Sequence, residues 1–205
     1  MARIILDFGS ANTHKNNWDY LKRMHDELKG VDSGHHEVII KHQLFRQAGD
    51  NIPLERKIFE AAYIYAEQLG YKTTSSVFDK ESLDFLLQFD VPFVKIANRR
   101  ELDWLIGEVP RKVPVYVSRN TGRPFVTDDN IYQLACISKY PCEAKDYLYI
   151  WAKGELRYIS DHTTDFKLWY DCQPQIIEWH YGLLDSTGLD AGPFMRTPEM
   201  LAEIL

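Results

Sequence analysis

Eight short, apolar, β-branched runs recur along the chain, and stretches with helical spacing separate them. This alternation limits the fold more than any other feature. A strand that is followed by a helix and then another strand pairs in parallel, because the helix carries the chain back along the sheet. The runs are Arg3–Phe8, His36–His42, Lys72–Ser76, Phe93–Ile96, Val113–Val117, Ile131–Ile137, Leu156–Ile159 and Gln175–Trp179. Helices are expected at Trp18–Leu28, Leu54–Leu69, Lys80–Phe89 behind the N-cap Asp79, Glu101–Ile106, a minimal one around 127–131, Ala144–Lys153 closed by Gly154, and Phe166–Tyr170. A last helix is expected at Thr197–Leu205, with Thr197 as N-cap and Pro198 at its first position. Eight repeats in 205 residues predict one compact (β/α)8 TIM barrel spanning residues 1–205. An open doubly wound sheet is the alternative, although neither G-x-G-x-x-G nor a P-loop is present to support a nucleotide fold.

Charge and cysteine usage narrow the function classes. A net charge of −6 argues against a broad nucleic-acid-binding face but allows a local basic pocket. Cys136, Cys142 and Cys172 form no C-x-x-C, so neither a disulfide framework nor a zinc–thiolate site is expected, and a cytoplasmic location fits. The N-terminus has no apolar signal core, and no run approaches the ~18 apolar residues of a membrane span. The expected partners are therefore small molecules, with no nucleic acid and no membrane.

In a closed barrel the chemistry collects at the carboxyl ends of the strands. Those ends carry Asp7, then Asn12 and His14; Lys41-His42-Gln43; Ser75-Ser76; Lys95, then Asn98-Arg99-Arg100; Ser118-Arg119-Asn120; and Ser138-Lys139-Tyr140. The seventh and eighth runs each end in a histidine, His162 and His180. Neutral imidazoles on neighbouring strand ends suit a first-row divalent metal. A helix cap and a satisfied core histidine are the alternatives. Lys95, among Phe93, Val94 and Ile96, is costly unless an anion meets it. Lys41 is similar, and Gln43 shares its face. The two lysines with Ser76 and Asn98 would make a site for a phosphate-bearing anion; a lysine snorkelling at a sheet edge is the competing reading.

These residues also carry a resemblance. Ile5-Leu6-Asp7-Phe8-Gly9 with Asn12 and His14 resembles E-I-G-x-N-H, and Val38–Gln43 resembles V-x-K-x-Q. Ser75–Asp79 resembles S-T-P-F-D, Val94–Asn98 resembles Y-K-I-x-S, and Cys136 to Pro141 resembles C-x-x-x-Y-P. Ser160–Thr163 is similar to S-D-H-T and Ile177–Tyr181 to I-E-x-H-F; Gly188-Leu189-Asp190 with Pro198 resembles a closing G-x-D…S-x-x-P. In this order the segments resemble the catalytic barrel of the N-acetylneuraminate (sialic acid) synthase family. Its members condense phosphoenolpyruvate with an N-acetylated amino sugar and release phosphate, using a divalent metal, usually manganese.

The resemblance implies that His162 and His180 hold the metal, Mn2+ foremost with Mg2+ or Co2+ as substitutes. It implies that Lys41 and Lys95 bind phosphoenolpyruvate with help from Ser76, Asn98, Ser138 and Ser160, and that Gln43 and Tyr140 face the sugar. Asp7 falls where the family has a glutamate, and Asp190 where it has an aspartate near the metal water. The chain departs from the pattern after the fourth run. There S-G-E becomes Asn98-Arg99-Arg100, so Glu101, one place later, is the candidate acid/base only if the loop shifts by one. The sequence ends soon after the eighth run, so the family's C-terminal antifreeze-like domain is expected to be missing and a homodimer would need another surface, with Trp151, Trp169 and Tyr170 as candidates and a packed outer ring as the alternative reading of these aromatics. The expected activity is a phosphoenolpyruvate-condensing transferase acting on an aldehyde sugar. A metal- and anion-binding pseudoenzyme, or a barrel lyase or phosphatase on another phosphorylated compound, are the alternatives.

Overall fold

In the computed structural model, which describes residues 1–47, 49–120, 128–150 and 156–205, the eight runs close into one parallel barrel in chain order. The strands are β1 (Arg3–Gly9), β2 (Glu37–Leu44), β3 (Lys72–Val77), β4 (Val94–Ile96), β5 (Val115–Arg119), β6 (Ile131–Cys136), β7 (Tyr158–Asp161) and β8 (Ile176–His180). Because β1 pairs with β2 on one side and β8 on the other, the sheet has no open edge there and the doubly wound alternative is excluded. The helices are α1 (Ala11–His14), α2 (Trp18–Val31), α3 (Arg56–Gln68), α4 (Lys80–Leu86), α5 (Ala144–Ile150), α6 (Lys167–Cys172) and α7 (Pro198–Leu201). A 3-10 stretch, Arg100–Glu108, follows β4.

Local chemistry sets these boundaries. The Asn17 side chain caps α2 by accepting from Tyr20 N–H at 3.1 Å, and Asp79 caps α4 by accepting from Ser82 N–H at 2.8 Å. β5 begins two residues later than the apolar pattern suggests, because Val113 N–H is used in a turn to Pro110 O and Pro114 has no N–H to donate. β7 and β8 are likewise displaced toward the carboxyl end, which brings Asp161 and His180 into the sheet. The last helix shrinks to Pro198–Leu201, after which Ile204 and Leu205 pack back into the core. The expected minimal helix near 127–131 gives instead a turn, Ile131 N–H to Asp128 O, over the part that is described. The end of the helix expected to Lys153, its Gly154 stop, and Trp151 lie outside the described residues. Trp169 is half-buried, with its ring 5.6 Å from Trp179, so it belongs to the packed outer ring. No helix among the described residues is long and apolar enough to cross a membrane.

Alternation along each strand divides the core in two. Outward residues such as Ile4, Leu6 and Phe8 pack with Leu21, Met24 and Leu28 of α2. Val77, Val94, Ile96 and Val117 pack with Leu83, Leu86 and Leu105. Inside the barrel, Ile5, Ile39, Phe93, Tyr116, Leu134 and Ile176 form a separate apolar cluster, with Phe93 stacked on Tyr116 at 4.0 Å. Each such burial contributes roughly 1.5–3 kcal/mol. The cluster lies toward the amino-terminal ends of the strands, below the residues that line the cavity at their carboxyl ends.

Candidate active site

Two residues beyond each floor residue, the same inward face turns polar. Ile5 is followed by Asp7, Ile39 by Lys41, Phe93 by Lys95, Tyr116 by Ser118, Leu134 by Cys136 and Ile176 by Glu178. Parallel register sets them side by side: Asp7 opposite Lys41 and His180, Ser76 opposite Lys95, and Ser160 between Cys136 and Glu178. The result is a cavity of about 680 Å³ at the carboxyl ends of the strands, lined by these residues with Gln43, Asn98, Ser138, Tyr140, His162 and Asp190.

Two ammoniums and two carboxylates form its base. Lys41 Nζ lies 2.6 Å from Asp7 Oδ2 and 3.9 Å from Glu178 Oε1, and donates to Ser76 Oγ at 3.1 Å. Lys95 Nζ lies 3.4 Å from Glu178 Oε2 and donates to Ser118 Oγ at 2.7 Å. Both lysine side chains are only 2% exposed, so neither snorkels. Burial opposes ionisation of Asp7 and Glu178, yet Lys41 beside the first, and Lys41 with Lys95 beside the second, hold both carboxyls below their usual range. Burial also opposes charge on Lys41, but Asp7 and Glu178 outweigh it and its pKa rises. At Lys95 burial wins over Glu178, and the pKa falls. Asp190 goes the other way from Asp7: burial raises its pKa, and His180 only partly offsets this.

The histidine pair stands above this base, with ring centroids 5.5 Å apart. His162 Nδ1 lies 2.7 Å from Ile137 O; a carbonyl only accepts, so Nδ1 carries the proton and Nε2 keeps its lone pair. Burial, then the neighbouring His180, pushes the His162 pKa down to about 3, which keeps the ring neutral. His180 Nδ1 is buried with no hydrogen-bond partner, 3.6 Å from Asp190 Oδ1 and 4.0 Å from Asp7 Oδ2. No group of three or more His, Cys, Asp or Glu among the described residues converges as a ligand set. The donors these residues offer a divalent ion are two imidazoles, so such an ion would take its remaining ligands from solvent or substrate.

Most of the other expected residues line the same cavity, while Glu101 and His14 do not. Gln43 Nε2 donates to Asp7 Oδ2 at 2.9 Å and to Asp190 Oδ1 at 3.3 Å, Asn98 donates to Ser138 Oγ at 2.9 Å, and Ser160 donates to Glu178 Oε1 at 3.3 Å. The Tyr140 ring lies 4.1 Å from His162. Asp190 approaches β1 so closely that a Cβ at Gly9 would be 2.7 Å from its Oδ2, and Gly9 has φ +73°. Glu101 is one of the two, and its expected acid/base place in the cavity is corrected. It is exposed at the start of the 3-10 stretch, whose buried face is Leu102 and Leu105, and it does not line the cavity. β4 ends at Ile96, and the wall continues through Asn98 and Arg99 before the chain turns away. His14 is also absent from the wall; it is buried behind the barrel. Glu178, Ser118 and Cys136 were not singled out as site residues. Glu178 had a readable signal: a charge within Ile176-Ile177-Glu178-Trp179, two residues before His180, repeats the pattern that exposed Lys95.

An eight-stranded parallel barrel with a polar cavity at the carboxyl ends of its strands defines the chain as a TIM-barrel protein with its site where barrel enzymes carry theirs. No family model and no curated protein sequence matches it. Among solved structures it is similar to N-acetylneuraminic acid (sialic acid) synthetase from Leptospira borgpetersenii serovar Hardjo-bovis, with a TM-score of 0.75 at 21% identity over 98% of this chain and 80% of that one. It is similar to a spore coat polysaccharide biosynthesis protein from Bacillus subtilis, with a TM-score of 0.71 at 18% identity over 98% and 65%. A truncated 3-deoxy-D-arabino-heptulosonate 7-phosphate synthase from Thermotoga maritima follows, with a TM-score of 0.61 at 11% identity over 98% and 83%. At these identities the likeness is one of fold.

Proposed function

We propose that the chain is a sialic acid synthase-like transferase of the cytoplasm. It would condense phosphoenolpyruvate with an aldehyde sugar of the N-acetylmannosamine kind into a nonulosonic acid, with release of phosphate and dependence on a divalent metal, manganese foremost. The observation that carries this reading is the pairing of Lys41 and Lys95 with Asp7 and Glu178 in the cavity that His162 and His180 also line. Buried ammoniums with nearby hydroxyl donors suit phosphate and carboxylate, and the fold likeness to a sialic acid synthetase points the same way.

The chemistry needs three things from the chain. Lys41 and Lys95, with Ser76, Ser118 and Ser160, hold the phosphoenolpyruvate anion on the cavity floor, with its C3 toward the mouth. Gln43 and Tyr140 orient the aldehyde above it. C3 bonds to the aldehyde carbon, water adds at C2, and the C2–O bond to phosphate breaks, leaving a keto acid and a new hydroxyl. That hydroxyl needs one proton, and the water that adds at C2 gives one up, so the two exchanges cancel. Asp7 and Glu178 are held ionised, whereas burial favours the protonated form of Asp190, so Asp190 is the cavity carboxyl suited to donate the proton to the hydroxyl. A metal bound by His162 and His180 would polarise the aldehyde oxygen and orient water.

The test is phosphate release from phosphoenolpyruvate with Mn2+ across a panel of aldoses, with product masses measured. Release that depends on one class of aldose, with a product mass equal to the condensed keto acid, supports the proposal. Solvent-facing Glu101 favours a second reading, a binding protein without turnover. That reading takes over if phosphoenolpyruvate and metal bind but no aldehyde triggers release.

A further inference from the structure

One buried arginine outside the cavity ties together the two strand ends that carry the histidines. Arg196 is fully buried on the segment after β8. Its N–H donates to His180 O at 2.8 Å and its carbonyl accepts from Gly182 N–H at 3.2 Å, so this segment zips onto the end of β8. Its guanidinium crosses to the turn beyond β7. Nη1 donates to Thr163 O at 2.9 Å and to Phe194 O at 3.0 Å, and Nη2 donates to Asp165 O at 2.6 Å. Nη2 also meets Asp161 Oδ2 and Thr163 Oγ1, each at 3.4 Å. Asp161 Oδ2 in turn accepts from Trp179 Nε1 at 2.8 Å, and the guanidinium carbon lies 4.9 Å from the Phe166 ring centroid.

His162 is thus held between two gripped neighbours, Asp161 and Thr163, while His180 is held through its own carbonyl. A buried ion pair is weak evidence for stability, since apolar replacements are often neutral. A rigid fork that bonds three backbone carbonyls at once is suited to fixing geometry, and a lysine cannot reproduce it. We propose that Arg196 is a positioning residue for the histidine pair, setting the separation and orientation of His162 and His180. The part that concerns metal rests on the reading of that pair as a metal site; the fixing of the rings does not.

Two readouts test it: long-range ¹H–¹⁵N spectra of the histidine rings without metal, and Mn2+ affinity from the free-ion paramagnetic resonance signal. The wild type should show His162 as a single Nδ1–H tautomer. Arg196→Lys should keep a cooperative melting transition, lose that single-tautomer signal, and bind Mn2+ roughly ten- to a hundredfold more weakly, as loss of a ligand-orienting partner does. Added guanidinium should restore both signals in Arg196→Ala, which a general loss of packing would not allow. The proposal is overturned if the variants fold with the His162 signal unchanged. If that signal changes but the wild type binds no Mn2+, positioning stands and the metal reading fails. Should neither variant fold, Asp161→Asn loosens the same grip from the turn side, and its His162 signal decides.

Discussion

Glu178 is shared by the two buried lysines, 3.9 Å from one and 3.4 Å from the other. Removing one partner of a buried pair leaves an uncompensated charge, at a cost of roughly 3–5 kcal/mol. Lys41 keeps Asp7, so the loss in Glu178→Gln falls on Lys95, and the lower end of that range is expected. The same change frees an ammonium for a ligand. Glu178→Gln should therefore melt earlier than wild type, by the equivalent of about 3 kcal/mol, yet be stabilised more by added phosphoenolpyruvate. Calorimetric melting with and without the ligand checks both effects, and an unchanged melting temperature without ligand would contradict the charge network. Lys41 and Lys95 were legible in the sequence because an ammonium in an apolar strand demands an explanation. Glu178 offered the same signal but was hidden among motif residues. Glu101 misled because spacing along the chain does not reveal which way a turn points a side chain.

At the scale of elements, β1, β2 and α2 enclose three buried histidines, His14, His25 and His42. His25 Nδ1 bonds Leu21 O at 2.7 Å, while the other ring nitrogens of the trio are buried without hydrogen bonds. Burial first, then their mutual repulsion, lowers His14 to about 4 and His42 well below its usual value; burial, with a smaller push from Lys22, takes His25 to about 4 against the Leu21 bond and Asp26. The unfolded chain takes up these protons near pH 6.5, whereas the folded chain takes them up near 4 at His14 and His25 and well below 6.5 at His42. Stability is thus greatest above pH 6.5 and falls as the pH drops toward 4, by up to roughly 3 kcal/mol for each of His14 and His25. His42→Phe, in a site already ringed by Phe8 and Phe59, should flatten this dependence; denaturant melts at pH 7 and pH 5 measure it, and equal slopes in both proteins would refute it. None of this was visible in the sequence, where His14 looked like a strand-end polar group and His25 was one position on a helical face. The strands themselves were legible, because period-two alternation and β-branched runs survive tertiary packing. Their ends were not, because proline and turn hydrogen bonds set those locally, as at Val113–Pro114.

For the whole molecule, the closed barrel follows from eight repeats and from an apolar floor that lies toward one end, with the polar residues walling the other. The cavity carries Lys41, Lys95 and Arg99 together with Asp7, Glu178 and Asp190, so an anion there competes with carboxylates for the ammoniums. The central claim is that this cavity takes phosphoenolpyruvate on its lysines. Its most direct measurement is calorimetric titration of phosphoenolpyruvate into the wild type and into Lys95→Ala, each shown to be folded by its melting transition. Saturable binding to the wild type is expected, with a loss of roughly ten- to a hundredfold in the variant, the worth of one charged hydrogen bond. No binding to the wild type, or equal binding to both proteins, would contradict it.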